Sequence, residues 1–227
     1  MGRRGLMRLA FAFTFLAGSL ICAAPELYID PGHGGNDPGV RSDAGSEAEI
    51  TLDIASQLQA ILKTKGIESA LSRSGSLGPL PSARAAAANA SGAGAFLSLH
   101  VNSSPSAAVH GPRVFIPKAA PPASKDEPRP WGRSAGQKSE EAKKLALELV
   151  KTLSQAESGK LTVQNLNLVS FKGLAIPGVA VELGYLSHAE SKTRFADAEY
   201  RKALAGRLAD GVFAWARPNS PSAEVKP

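Results

Sequence analysis

Leu27-Tyr28-Ile29-Asp30-Pro31-Gly32-His33-Gly34-Gly35 decides how this chain is read. The first three residues make a short apolar strand, which ends at the Asp30-Pro31-Gly32 turn. A helix comes next. Ile50, Ile54, Leu58, Ile61 and Leu62 recur at helical spacing, and Gly66 is a natural stop. Ser46 and Glu49 match a capping box at the helix start. Glu47 therefore falls in the first helical turn, beside the glycine-rich loop that carries His33.

Strand and helix patterns keep alternating downstream. Ile67 to Ser72 predicts a second strand, and Ser82 to Ala90 an alanine-rich helix. Ala95 to Leu99 predicts a third strand with His100 at its carboxyl end, and Arg113 to Ile116 a fourth. Ala142, Leu145, Ala146, Leu149 and Leu153 mark an amphipathic helix. Asn167 to Val169 and Val179 to Val181 read as short strands, and a last helix covers Ala198 to Ala216. This order predicts an α/β fold: a single three-layer domain with a largely parallel or mixed central sheet flanked by helices. Ligands in such folds sit beyond the carboxyl ends of the strands. His33, His100 and Glu182 each directly follow a predicted strand, which puts them on one rim.

The chain has 227 residues and 43% hydrophobic content, enough for one substantial core. Residues 1–24 read as a secretory signal: Arg3, Arg4 and Arg8 precede an apolar run from Leu9 to Ile21, and Cys22-Ala23-Ala24 follows. That run is shorter than the roughly 20 residues needed to span a bilayer, so no membrane span is expected after cleavage at Ala23 or Ala24. Residues 25–217 form the expected domain. Within it, 118–137 is rich in proline, alanine and serine and reads as a flexible loop, and 218–227 reads as a disordered tail. The only cysteine lies in the signal, so the mature chain has no disulfide and no thiolate ligand. Losing three arginines lowers the formal charge from +6 to +3. That surplus suits an anionic envelope polymer. With no aromatic-interleaved basic stripe, and with export expected, nucleic acid is not an expected partner.

Two imidazoles and two carboxylates remain for chemistry. His33, Glu47 and His100 suit a hydrolytic zinc site, with Glu182 left over to move protons. The plainer readings stand beside this one. His33 and His100 can be turn residues, and Glu47 can serve the helix dipole. Glu182 ends an apolar strand, where a carboxylate is costly unless paired, exposed to a cleft or functional; partial burial should raise its pKa. His110 and His188 fall in polar loops and read as surface residues. The Asp30-to-Asn36 loop lacks the Lys-Ser/Thr ending of a phosphate-binding loop.

From Leu27 to Trp215 the sequence resembles the zinc-dependent N-acetylmuramoyl-L-alanine amidases of bacterial cell walls. The resemblance rests on Asp30 to Gly35, Asp37 to Gly39, Glu47, Arg73, Arg84 with Ala88 and Asn89, Ser98 to Asn102, and Val181 to Ser187. Ala48, Ser76 and His188 depart from residues frequent in the family. The resemblance implies a phosphorylase/hydrolase-like fold, zinc bound by His33, Glu47 and His100, and Glu182 as acid and base. It implies a peptidoglycan substrate cut between N-acetylmuramic acid and L-alanine, and an exported protein of the periplasm, cell envelope or exterior. The alternatives are a zinc peptidase acting within the stem peptide and a non-catalytic wall-binding protein on the same fold. Some relatives carry a helix that plugs the zinc site until a partner removes it. The 118–137 segment is short and proline-rich for that role; whether a protein activator exists stays open.

Overall fold

The computed structural model describes residues 24–75, 77–118, 132–156 and 161–218. The expected signal up to residue 23, loop residues 119–131 and tail residues 219–227 lie outside them. So does the departure at Ser76. The chain runs β1 (Leu27–Pro31), β2 (Arg41–Ser42), β3 (Gly45–Ser46), α1 (Glu47–Thr64), β4 (Ser69–Leu71), α2 (Pro81–Ala90), β5 (Ala95–Asn102) and β6 (Arg113–Ile116). It continues with α3 (Gly132–Leu153), β7 (Val163–Asn165), β8 (Gly178–Tyr185), α4 (Ala189–Ala196) and α5 (Ala198–Ala216).

Six strands form one sheet in the order β4-β1-β5-β8-β6-β7. β4, β1, β5 and β8 are parallel, whereas β6 runs antiparallel to β8 and parallel to β7. The sheet is therefore mixed. No described helix separates β5 from β6, so the chain turns back there instead of crossing over, as a parallel return would require.

Alternation along each strand sorts the residues into two faces. Leu27, Ile29, Leu97, Leu99, Val101, Val179, Val181, Leu183, Val114 and Ile116 pack into the main core against α1, α3 and α5. These side chains are nearly all fully buried, and each contributes roughly 1.5–3 kcal/mol of transfer energy. The opposite face carries Tyr28, Phe96, Ala180 and Phe115. Among the described residues, α2 and a 3-10 turn at Val169–Phe171 cover it. The carboxyl ends of β5 and β8 on that thinner side floor an open cleft.

Four expectations need correction. His100 and Glu182 lie inside β5 and β8 rather than after them, because each strand continues past its polar residue to a buried apolar one, Val101 or Leu183. Asn167–Val169 is not a strand; the strand is Val163–Asn165, and Val169 opens the 3-10 turn. As an edge strand paired only with β6 and largely exposed, β7 carries little apolar signal. Residues 132–137 of the expected loop are the start of α3. No proline follows Pro130 to stop that helix from extending backwards. Finally, α4 and the short β2–β3 hairpin had no counterpart in the sequence reading.

Candidate metal centre

The loop after β1 delivers His33 in a conformation that few side chains adopt. Its φ is 59°, in the left-handed region. Two buried arginines hold the backbone around it. Arg73 donates from Nε to Pro31 O (3.0 Å) and from Nη2 to Gly32 O (2.9 Å) and Ala48 O (2.8 Å). Arg84 donates to Pro31 O (2.7 Å) and His33 O (2.5 Å), and pairs with buried Asp30 at 2.9 Å. Asp30 also accepts from Ser72 Oγ and Ser98 Oγ, so this buried carboxylate is fully engaged. A reciprocal Gly34–Asp37 backbone pair closes the loop.

α1 supplies Glu47 as its first residue. The capping box is present, with Ser46 Oγ accepting from Glu49 N and Glu49 Oε2 accepting from Ser46 N. Glu47 is 3% exposed, and backbone donors hold both of its oxygens. Val101 N donates to Oε1 (3.1 Å) and Val40 N to Oε2 (3.1 Å). His100 Nδ1 stands 2.9 Å from Oε1, and His33 Nε2 stands 3.2 Å from Oε2. The two imidazoles meet edge to face with centroids 5.2 Å apart. Gly39 makes room for this convergence. Its φ is +63°, and a Cβ there would lie 2.5 Å from Glu47 Oε2.

His33, Glu47 and His100 each offer one donor atom within 4.8 Å of the others, the only such group of three among the described residues. Two imidazoles and one carboxylate are a donor set that suits zinc and leaves a fourth position for water. On the far side of the His33 ring, Nδ1 lies 2.7 Å from Asp37 Oδ2. Such a carboxylate fixes the ring orientation and leaves Nε2 facing inward. Without a metal, His33 and Glu47 hold each other in charged states. The Glu47 contact, opposed by burial and reinforced by Asp37, lifts His33 to about 9. Burial pushes the Glu47 carboxyl up, yet hydrogen bonding to His100, His33 and Val40 N outweighs it and brings it to about 2.

Glu182 sits opposite His100 in the β5–β8 register. Its Oε2 is buried with no hydrogen-bond partner. Burial raises its pKa; His100 opposes the rise and Glu47 adds to it. An unpaired carboxyl next to a cluster that could hold a metal is a candidate for carrying a proton. Both His100 and Glu182 line the cleft, which measures about 330 Å³. Exposed Leu80 and Val169 form its two lips.

The remaining histidines lie elsewhere. The His110 and His188 rings are 5.0 Å apart, and His188 Nδ1 caps α4 by accepting from Ser191 N. His110 is exposed and His188 half-buried. Roles for Asp37 and for the Arg73–Arg84 clamp escaped the sequence reading. An acidic residue four positions past a loop histidine was a usable signal for Asp37. The arginines act on backbone carbonyls far away in sequence, and no motif spacing announces that.

A family model described as N-acetylmuramoyl-L-alanine amidase matches residues 27–214. The sporulation-specific N-acetylmuramoyl-L-alanine amidase of Bacillus subtilis is 27% identical over 189 residues, covering 82% of this chain and 66% of the relative. The chain thus spans about two thirds of that protein's length. The amidase AmiA of Escherichia coli is also 27% identical, covering 82% of this chain and 74% of its own. Among solved structures, an N-acetylmuramoyl-L-alanine amidase from Clostridium difficile 630 superposes with a TM-score of 0.73 at 24% identity. That match covers 87% of this chain and 99% of the other, and shows a shared fold.

Proposed function

We propose, from the premise that this chain belongs to the N-acetylmuramoyl-L-alanine amidase family, that it is an exported zinc hydrolase of peptidoglycan. It cuts the amide joining N-acetylmuramic acid to the L-alanine that begins the stem peptide. One observation carries the reading: His33, Glu47 and His100 converge on a common point while Glu182, next in the row, keeps a buried oxygen without a partner. Export rests on the basic and apolar start of the chain and on the family's cell-wall substrate.

His33 Nε2, His100 Nδ1 and a Glu47 carboxylate oxygen would hold the zinc. When bound, zinc polarises the scissile carbonyl and acidifies a water. Asp37 keeps the His33 ring turned inward, and the backbone donors Val40 and Val101 keep Glu47 from swinging away. Glu182 takes the proton of the attacking water on Oε2 and returns it to the departing L-alanine amine. Its raised affinity for a proton suits both halves of that transfer. The cleft between Leu80 and Val169 admits the bond to be cut.

Purified peptidoglycan incubated with the protein, with and without a chelator, tests this by mass spectrometry. Peptides beginning with L-alanine and glycan strands stripped of peptide are expected, and only without chelator. Glu182→Gln should retain zinc and lose about 10²–10⁴-fold in turnover, the usual contribution of a proton-transfer group. Cuts inside the peptide would mean a peptidase, and binding without products would mean a wall-binding protein. Undiminished turnover in Glu182→Gln would remove that residue from its role.

A further inference from the structure

The row that holds His100 and Glu182 continues one strand further. Glu182 is the register partner of His100 on β5 and also of Arg113 on β6. Residues directly opposite one another across a sheet project to the same face. The next row obeys the same rule: Ser98, Ala180 and Phe115 are aligned, and Ala180 and Phe115 share one apolar cluster. His100, Glu182 and Arg113 therefore stand abreast on the cleft side of three adjacent strands.

Arg113 is half-buried, and its guanidinium stacks over the Tyr185 ring at 5.5 Å. That ring restricts the fork without satisfying it, since stacking uses the face and leaves five N–H donors. Among the described residues no hydrogen bond or ion pair engages the Arg113 side chain. No hydrogen bond or ion pair joins it to its neighbour Glu182, whose buried Oε2 has no partner, although the Arg113 charge acts on that carboxyl. The Arg113 fork is thus held in place by a ring and left without a hydrogen bond among the described residues, free to receive an anion from the cleft.

The reaction gives that anion a direction. On the amidase reading the acyl carbon would sit over the His33–Glu47–His100 end of the row, with the departing amine at Glu182, its proton donor. The next side chain, one strand spacing or about 4.8 Å further on, belongs to Arg113. The fragment passing over Arg113 is the leaving peptide, not the sugar. A peptide carries carboxylates on acidic residues along its length as well as at its end, and a guanidinium fork can receive one with two parallel hydrogen bonds.

We propose that Arg113 is a specificity-determining residue that pairs with a carboxylate of the departing stem peptide. The proposal rests on the amidase reading above. The test uses two soluble N-acetylmuramoyl-L-alanyl peptides, identical except that the peptide carboxylates are free in one and carboxamides in the other. For the whole protein loaded with zinc, kcat/KM should favour the acid about tenfold or more. In Arg113→Gln that ratio should fall close to one, mainly through KM of the acid, and Arg113→Lys should restore part of it.

A wild-type ratio near one, or an unchanged ratio in Arg113→Gln, overturns the proposal. An equal loss on both peptides leaves the ratio unchanged and so also overturns it, assigning Arg113 to the support of Glu182 or of the fold. Partial recovery of the ratio in Arg113→Lys guards against misfolding as the cause. Failure of the wild-type protein to cut either peptide before L-alanine would instead overturn the amidase reading itself.

Discussion

Glu47 and His33 hold each other in opposite charge states while no metal separates them. The Glu47 contact lifts His33 from 6.5 to about 9. Its stabilising effect is therefore complete below pH 6.5 and lost as pH climbs through 9. Burial opposes ionisation of Glu47, but its hydrogen bonds prevail and bring it from 4.5 to about 2. Its effect is complete above pH 4.5 and lost as pH falls through 2. Metal-free protein should thus lose stability in urea between pH 6.5 and 9, and His33→Ala should flatten that slope. Zinc requires neutral imidazole, so binding near pH 7.5 should release close to one proton. Calorimetry in buffers of different ionisation enthalpy measures this, and zero release would show that His33 is already neutral. The residue types for this site were legible in the sequence, since glycines flank His33 and Glu182 ends an apolar run. The partners that orient them were not. Asp37, Arg73 and Arg84 work through a folded loop, and four arginine-to-carbonyl bonds cross more than forty residues of chain.

At the scale of elements, α1 does two tasks at its first turn. Its capping box satisfies the helix start, and the residue just after the cap is the buried Glu47. The helix N-terminus favours that negative charge as well. Ser46→Ala should cost about 1 kcal/mol in urea unfolding, the usual loss of a cap. It should also weaken zinc binding severalfold, because a fraying first turn loosens a ligand. Ser56→Ala, where an exposed hydroxyl bonds Leu52 O in the same helix, should leave zinc affinity as it was. If Ser46→Ala loses stability but not zinc affinity, the loop contacts alone position Glu47. The apolar stripe made α1 readable, and α5 was read to its boundaries because its buried residues repeat at helical spacing. β5 and β8 were read too short for an instructive reason. A polar residue facing the cleft, His100 in one and Glu182 in the other, breaks the apolar pattern where the candidate site begins, although buried Val101 and Leu183 carry each strand on. The eight-residue α4 and the edge strand β7 bury too few side chains to announce themselves.

The whole molecule makes a candidate metal site that its unfolded chain lacks. Glu47 and His100 are 53 positions apart, and His33 comes from a separate loop; only the parallel part of the sheet brings the three together. Metal binding is then linked to folding, and a ligand at a hundred times its Kd stabilises the native state by about 2.7 kcal/mol. For a domain of this size that amounts to roughly 5–10 °C in Tm. A thermal scan with buffered free zinc should show this rise, and a chelator should reverse it. Glu182→Gln should show the same rise as wild type, because Glu182 stands beside the ligands without joining them. His33→Ala and His100→Ala should each lose most of it. The contrast separates holding the metal from moving the proton, which activity alone cannot do, since all three variants are expected to be inactive. A rise that persisted in His100→Ala would place the zinc elsewhere. Among the described residues the paired His110 and His188 rings would then be the first place to look, because they are the other two imidazoles in contact.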